Sequence, residues 1–356
     1  MKKNLFWAAS IACLCASCAN DAVIEENRAS DEIRFRAFAE GSTRADAVYC
    51  PSNLPEEFNV YATDADNNLI IDGDLIKLES GAYVNKTAQR YWPESGTLTF
   101  EALLNGSKES DGTVNFSVAD AAASQKDLIY ARATGSKTDG TVALNFRHAL
   151  SQIVFKAKNT NETLTVKVSK VELCNVNNSG VYTLPSDNTT DNSGETDHDG
   201  TTYQTAGRGS WNSLEGNASY TIENEVILNS ETTSADISAA NGSDALMLIP
   251  NTYTAWDATT AINDATEGTY FLVTATITQK VNDNETAVKI WDGEIAIPVA
   301  FSWVEGKRYI YTFAFGQGNG GYDPENPENP VFVPITFSVD VDEFVPASEV
   351  VEAGGK

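Results

Sequence analysis

The sequence predicts an all-β protein built from two sandwich- or barrel-like units. Three observations carry this. Segments of four to ten residues alternate apolar and polar side chains and are rich in Val, Thr, Ile and Phe. Clusters of Asn, Asp, Gly, Ser and Thr separate them. Long amphipathic helical patterns are scarce. A chain of 356 residues is long enough for two domains of ordinary size. Its 42% hydrophobic content, with 13 Tyr, 15 Phe and 6 Trp, can fill their cores and argues against disorder.

The chain opens with Lys2 and Lys3, then an almost wholly apolar stretch from Leu5 to Ala16, then Cys15-Ala16-Ser17-Cys18. A charged start, a short apolar run and small residues before a cysteine make a bacterial lipoprotein leader, residues 1–17. The apolar run is about a dozen residues, short of the ~20 that a spanning helix needs. Cys18 is therefore expected to carry lipid and to tether the mature chain to a membrane surface. The alternative is an ordinary signal cut near the same place, with Cys18 left as a thiol. Cys13 and Cys15 lack the combination of small residues before and polar residues after.

After the leader, Ile33 to Phe38 alternates, with Ile33, Phe35 and Ala37 on one face. Strands follow at Thr97 to Ala102, Thr141 to Phe146, Ile153 to Ala157 and Leu164 to Leu173. The second half continues with Tyr220 to Leu228, Ala245 to Ile249, Tyr270 to Ile277, Val288 to Ile297, Arg308 to Phe315 and Ile335 to Val341. Short helices are expected only around Ala119 to Lys126 and Phe146 to Ser151. Ser186 to Gly200 is polar and acidic and reads as a surface loop, which places a boundary between domains 45–184 and 185–318. Gly316 to Pro330 is Gly-rich, then Pro-rich, and such linkers favour extended chain. It is expected to detach the tail, so that residues 319–356 are linker and final strand. In that strand Ile335, Phe337, Val339 and Val341 share an apolar face.

The formal charge is -26, from 24 Lys and Arg against 50 Asp and Glu. Such a chain repels nucleic acid and anionic lipid. Two histidines, His148 and His198, lie far apart, and no G-x-S-x-G, zinc spacing or phosphate loop accompanies them. No catalysis, cofactor or metal is expected. Asp187, Asp191, Glu195, Asp197 and Asp199 offer calcium-type oxygen ligands, but their spacing misses the EF-hand pattern, and a solvated loop is the simpler reading. Trp92, Trp211, Trp256, Trp291 and Trp303 neighbour strand residues, where core packing competes with a sugar-stacking role. Cys50 and Cys174 could pair in an exported chain or stay as small buried hydrophobes.

The order of several short motifs resembles the fimbrillin family, pilin-like lipoproteins of type V pili. They are the lipobox ending at Cys18; Ile33 to Ala37 followed by Thr43-Arg44-Ala45; Phe58 to Ala62; and Tyr91-Trp92-Pro93 leading to Leu98-Thr99-Phe100. Further on come Leu144 to Ile153, Leu246 to Pro250, and Trp303 to Tyr311. The resemblance implies two tandem transthyretin-like β-sandwich domains and assembly by strand exchange. It implies an outer-membrane lipoprotein precursor, cut by an Arg-specific protease, that becomes a surface fimbrium. Residues 18–44 would be a propeptide whose first strand, with Ile33, Phe35 and Ala37, is displaced. Arg44 and Ala45 would flank the cut, with Arg28 as a second candidate. Ile335, Phe337, Val339 and Val341 would anchor a donor strand, against the alternative of an ordinary last strand paired at home. A closed tail would suit a tip or anchor subunit; a releasable one, a shaft subunit. The implied partners are other pilus subunits, the protease, the lipid anchor and a host or bacterial surface receptor. The competing reading is a surface glycan-binding lipoprotein that never polymerises.

Overall fold

The computed structural model describes residues 31–39, 55–186, 207–238, 245–259, 262, 268–280, 286–318, 320–324 and 335–343. Cys18, Arg28, Arg44, Ala45, Cys50, His198 and most of the acidic stretch 186–200 lie outside them. The chain is all-β.

The first strands are β1 (Arg34–Ala39), β2 (Glu57–Thr63), β3 (Leu69–Glu79), β4 (Ala82–Asn85), β5 (Leu98–Leu104), β6 (Val114–Ser117), β7 (Ile129–Gly135) and β8 (Thr141–His148). Then come β9 (Ser151–Asn159), β10 (Leu164–Val176), β11 (Ser179–Thr183), β12 (Ser210–Glu215), β13 (Ala218–Ile222), β14 (Val226–Leu228), β15 (Ser234–Asp236) and β16 (Leu246–Leu248). The last are β17 (Thr252–Tyr253), β18 (Tyr270–Gln279), β19 (Val288–Pro298), β20 (Phe301–Ser302), β21 (Lys307–Phe315) and β22 (Ile335–Glu343).

Seven strands form one sheet in the order β1-β8-β7-β5-β2-β3-β4. In a flat sheet β1 and β5 would stand three strand spacings apart, ~14 Å. The Phe35 ring on β1 instead meets Phe100 on β5 edge-on at 5.8 Å and Phe58 on β2 at 6.5 Å. The sheet therefore curls on itself and encloses its own core, which includes Val60, Ile76, Trp92, Leu98 and Leu144.

The second unit is a sandwich. One sheet runs β13-β10-β18-β19, with β14 also on β10. The other runs β15-β9-β21-β22, with β16 also on β9. Phe155 of β9 meets Phe271 of β18 at 5.6 Å, and Phe271 meets Phe313 of β21 at 5.1 Å, so the inner faces interdigitate through aromatic edges. A three-stranded sheet, β12-β11-β6, joins the units. The sandwich core runs on through Val114, Leu128, Tyr130 and Tyr182 without a break.

Two expectations need correction. Residues 146–151 are not helical: they are the end of β8, a tight turn and the start of β9, with Ala149 and Leu150 fully buried. Burial is continuous from His148 to Ser151, which a one-faced helix period does not produce. Around Ala119 to Lys126 there is only a three-residue 3-10 turn, Ala122–Ser124. Sheet membership changes between His148 and Ser151, because β9 and β10 pair with strands from the last third of the chain. The polar stretch of residues 186–200 lies between β11 and β12, which pair with each other.

Candidate functional site

β1 occupies a groove. It lies parallel to β8, from Arg34 opposite Thr141 to Ala39 opposite Phe146. Among the described residues β8 pairs with β7 only at Arg147 and His148, so residues 141–146 of β8 find their ladder partner in β1. The residues leading into β1 are met by the stretch following β4. Ile33 N–H donates to Arg90 O at 2.8 Å and Trp92 N–H donates to Asp31 O at 2.9 Å, with Glu32 bridging Tyr91. Ile33, Phe35 and Ala37 are buried, while Arg34 and Arg36 are exposed. Lys137 adds an ion pair to Asp31 at 2.8 Å.

The far wall of the groove is held by a buried carboxylate. Asp74 on β3 is 1% exposed. It receives two hydrogen bonds from Arg90, Nε at 2.7 Å and Nη2 at 2.9 Å, and a third from Asn85 Nδ2 at 2.8 Å. The Arg90 guanidinium holds the Asp74 carboxyl below the usual carboxylate range against the opposing effect of burial. This fork fixes the backbone whose carbonyl receives the Ile33 N–H.

β22 does not hang free. It pairs antiparallel with the whole of β21, from Phe315 opposite Ile335 to Lys307 opposite Glu343. The linker of residues 316–330 therefore does not detach the tail. Ile335 is buried, and Phe337, Val339 and Val341 are half-buried against the sandwich core. Phe337 sits 5.8 Å from the Phe271 ring and 6.2 Å from Tyr311. β22 is also the last strand of its sheet.

The other candidates resolve as follows. Trp92, Trp256 and Trp303 are buried, and Trp211 and Trp291 half-buried. His148 pairs with Asp127 near the end of β8. Cys174 is a buried free thiol whose pKa burial pushes up to about 12.

Local sequence pattern missed one cluster. The turn before β21 carries Gly306 at φ 72, a left-handed conformation that glycine adopts freely, and its N–H donates to Leu150 O at 2.8 Å. The preceding residue, Glu305, is 7% exposed and turned inward. It receives hydrogen bonds from Tyr130 and Tyr182, each at 3.0 Å. Burial, and secondarily the Glu305 charge, pushes both tyrosine hydroxyls well above their ordinary value. The local signal was a glutamate directly following the mostly apolar Phe301 to Val304.

Comparison with known proteins adds to this geometry. A family profile described as fimbrillin-like matches residues 43–328. Among solved structures, a fimbrial protein from Bacteroides vulgatus aligns with a TM-score of 0.57 at 13% identity, over 87% of this chain and 99% of that one. A proposed cell adhesion protein from Bacteroides ovatus aligns with a TM-score of 0.47 at 14% identity, over 88% of this chain and 97% of that one. These identities speak for the fold alone. No curated protein matches. With most of its length matched to the family profile, the chain belongs to the fimbrillin-like family.

Proposed function

We propose that this chain is a structural and adhesive pilus subunit, without catalysis, that assembles at the cell surface by exchanging β1 for a strand of the next subunit. The observation that carries the reading is the placement of β1. Its apolar face fills the core of the first unit, yet β1 is the edge strand of its sheet and a single ladder, to β8, holds its length. A strand that completes the core through one ladder is suited to exchange.

On this reading the precursor is exported as a lipoprotein anchored through Cys18. An Arg-specific protease cuts between Arg44 and Ala45, with Arg28 as the fallback. The cut frees the body from the anchor and from Ile33, Phe35 and Ala37. The vacated groove would expose the β8 edge over residues 141–146 together with apolar pockets, and a second strand satisfies both. Ile335, Phe337, Val339 and Val341 repeat the period-two apolar face that such a donor needs. Their home on β21 has one strand neighbour, so a donor role requires that single ladder to be released. If it is not released, the chain suits a tip or anchor position. A head-to-tail contact of this kind repeats into a fibre.

Incubating the purified precursor with an Arg-specific protease tests the proposal. The expected result is a discrete product starting at Ala45, followed by an SDS-resistant ladder. Cleavage at scattered sites with no ladder sinks it.

A further inference from the structure

A cavity of about 270 Å³ opens where β12 approaches the short β17–β20 ladder. Its walls come from three separate stretches: 208–214, 250–252 and 302–305. None of its lining residues belongs to β1, β8 or β22.

The lining has a particular chemistry. Trp211 is half-buried and braced: its indole N–H donates to Ala149 O at 2.8 Å, and its ring rests 5.0 Å from Tyr182 and 6.1 Å from Phe116. Trp303, almost wholly buried, also lines the cavity and stacks on Phe301 at 4.6 Å. The rim carries hydroxyls from Ser210, Thr252 and Ser302, with Thr252 Oγ1 and Ser302 Oγ 3.2 Å apart. Asn251, also in the lining, is held in place, donating to Asn177 Oδ1 at 3.1 Å and accepting the Thr252 N–H at 2.8 Å. The Glu305 carboxylate receives the Tyr130 and Tyr182 hydroxyls, while its backbone carbonyl accepts from Arg208.

We infer that this cavity binds one pyranose unit of a neutral glycan. A pyranose has an apolar C–H face and a circle of hydroxyls, each both donor and acceptor. An indole wall offers a surface for the first, and Ser and Thr hydroxyls, which donate or accept as needed, match the second. Braced side chains reduce the ordering cost of binding. The formal charge of -26 repels polyanionic glycans at long range, which favours an uncharged sugar. The inference does not depend on strand exchange, because its lining residues are not those of the β1 groove.

The test titrates the full chain with methyl glucoside, methyl galactoside, methyl mannoside and glucuronate, followed by tryptophan emission and ligand-observed NMR. Saturable binding of at least one neutral pyranoside is expected. Thr252→Val with Ser302→Ala should weaken it about ten-fold, equivalent to about 1.4 kcal/mol, with the melting temperature unchanged. Should that double variant melt lower, Ser302→Ala alone serves, with a smaller loss expected. No saturable response to any neutral pyranoside overturns the inference. So does binding that the hydroxyl removals leave intact, or saturation by glucuronate alone.

Discussion

Tyr130 and Glu305 lie 175 positions apart in sequence, yet the tyrosine hydroxyl donates to the carboxylate at 3.0 Å inside the protein. Tyr130 belongs to the first, curled sheet, and Glu305 to the turn that launches β21. The bond therefore ties one unit to the other. A buried carboxylate that loses a donor is left under-solvated. Tyr130→Phe should thus lower the unfolding free energy by about 1.5–3 kcal/mol, as for hydrogen bonds to charged groups. Denaturant titration measures this, and an unchanged midpoint would show that the tie is not energetically significant.

The same pair sets an alkaline limit. An unfolded tyrosine ionises near 10. In the folded chain burial holds the Tyr130 and Tyr182 hydroxyls well above that. Above pH ~10 the unfolded state binds fewer protons than the folded one, so stability falls as pH rises there. Below it, these two groups contribute no pH dependence. The wild type should lose stability more steeply than the Tyr130→Phe, Tyr182→Phe double variant, in thermal scans between pH ~9 and 11.

Asp74 offers an opposite test, because it supports the β1 groove through Arg90. Asp74 is buried but the Arg90 side chain is 35% exposed, so Asp74→Asn should destabilise the precursor by about 1.5–3 kcal/mol, as for hydrogen bonds to charged groups. It should also raise the hydrogen-exchange rate of the Ile33 amide, whose acceptor is the Arg90 carbonyl. The depressed Asp74 pKa contributes stability that is present above pH ~4 and is lost as pH falls through the folded value. An Ile33 amide equally protected in the variant would separate Asp74 from the groove.

Phe35 distinguishes precursor from product. It is 7% exposed and contacts Phe58 and Phe100. Phe35→Ala should cost the precursor about 3–5 kcal/mol. If cleavage after Arg44 removes β1, wild-type and variant products should melt identically. A difference that persists after cleavage means that β1 has stayed in place.

Phe337 tests the tail. Packed against Phe271 and Tyr311, it should make Phe337→Asp lower monomer stability by several kcal/mol. Fibre yield, measured alongside, then separates two roles. Loss of assembly by a monomer that still folds favours a donor strand. Normal assembly favours a purely domestic one.

Much of the strand content could be read directly from the sequence, because period-two alternation is a local consequence of the pleat. It names Ile33, Phe35 and Ala37 as one face of β1, and Ile335, Phe337, Val339 and Val341 as one face of β22, whatever those faces meet. The motif order likewise identified the family. Pairing partners are another matter. That β1 lies parallel to β8, that β9 joins β21 across half the chain, and that β22 runs along β21 instead of hanging free are long-range choices. They depend on which apolar faces close one core, and no local pattern encodes that. The Phe146 to Ser151 segment shows the limit: six residues of mixed character read equally as helix or strand until continuous burial from His148 to Ser151 decides. Glu305 shows it again. Alone in sequence it is one carboxylate among many, and only folding brings Tyr130 and Tyr182 to it. The sequence by itself determined which side chains turn inward; the tertiary structure decided what they meet there, because burial is local to a strand while contact belongs to the whole chain.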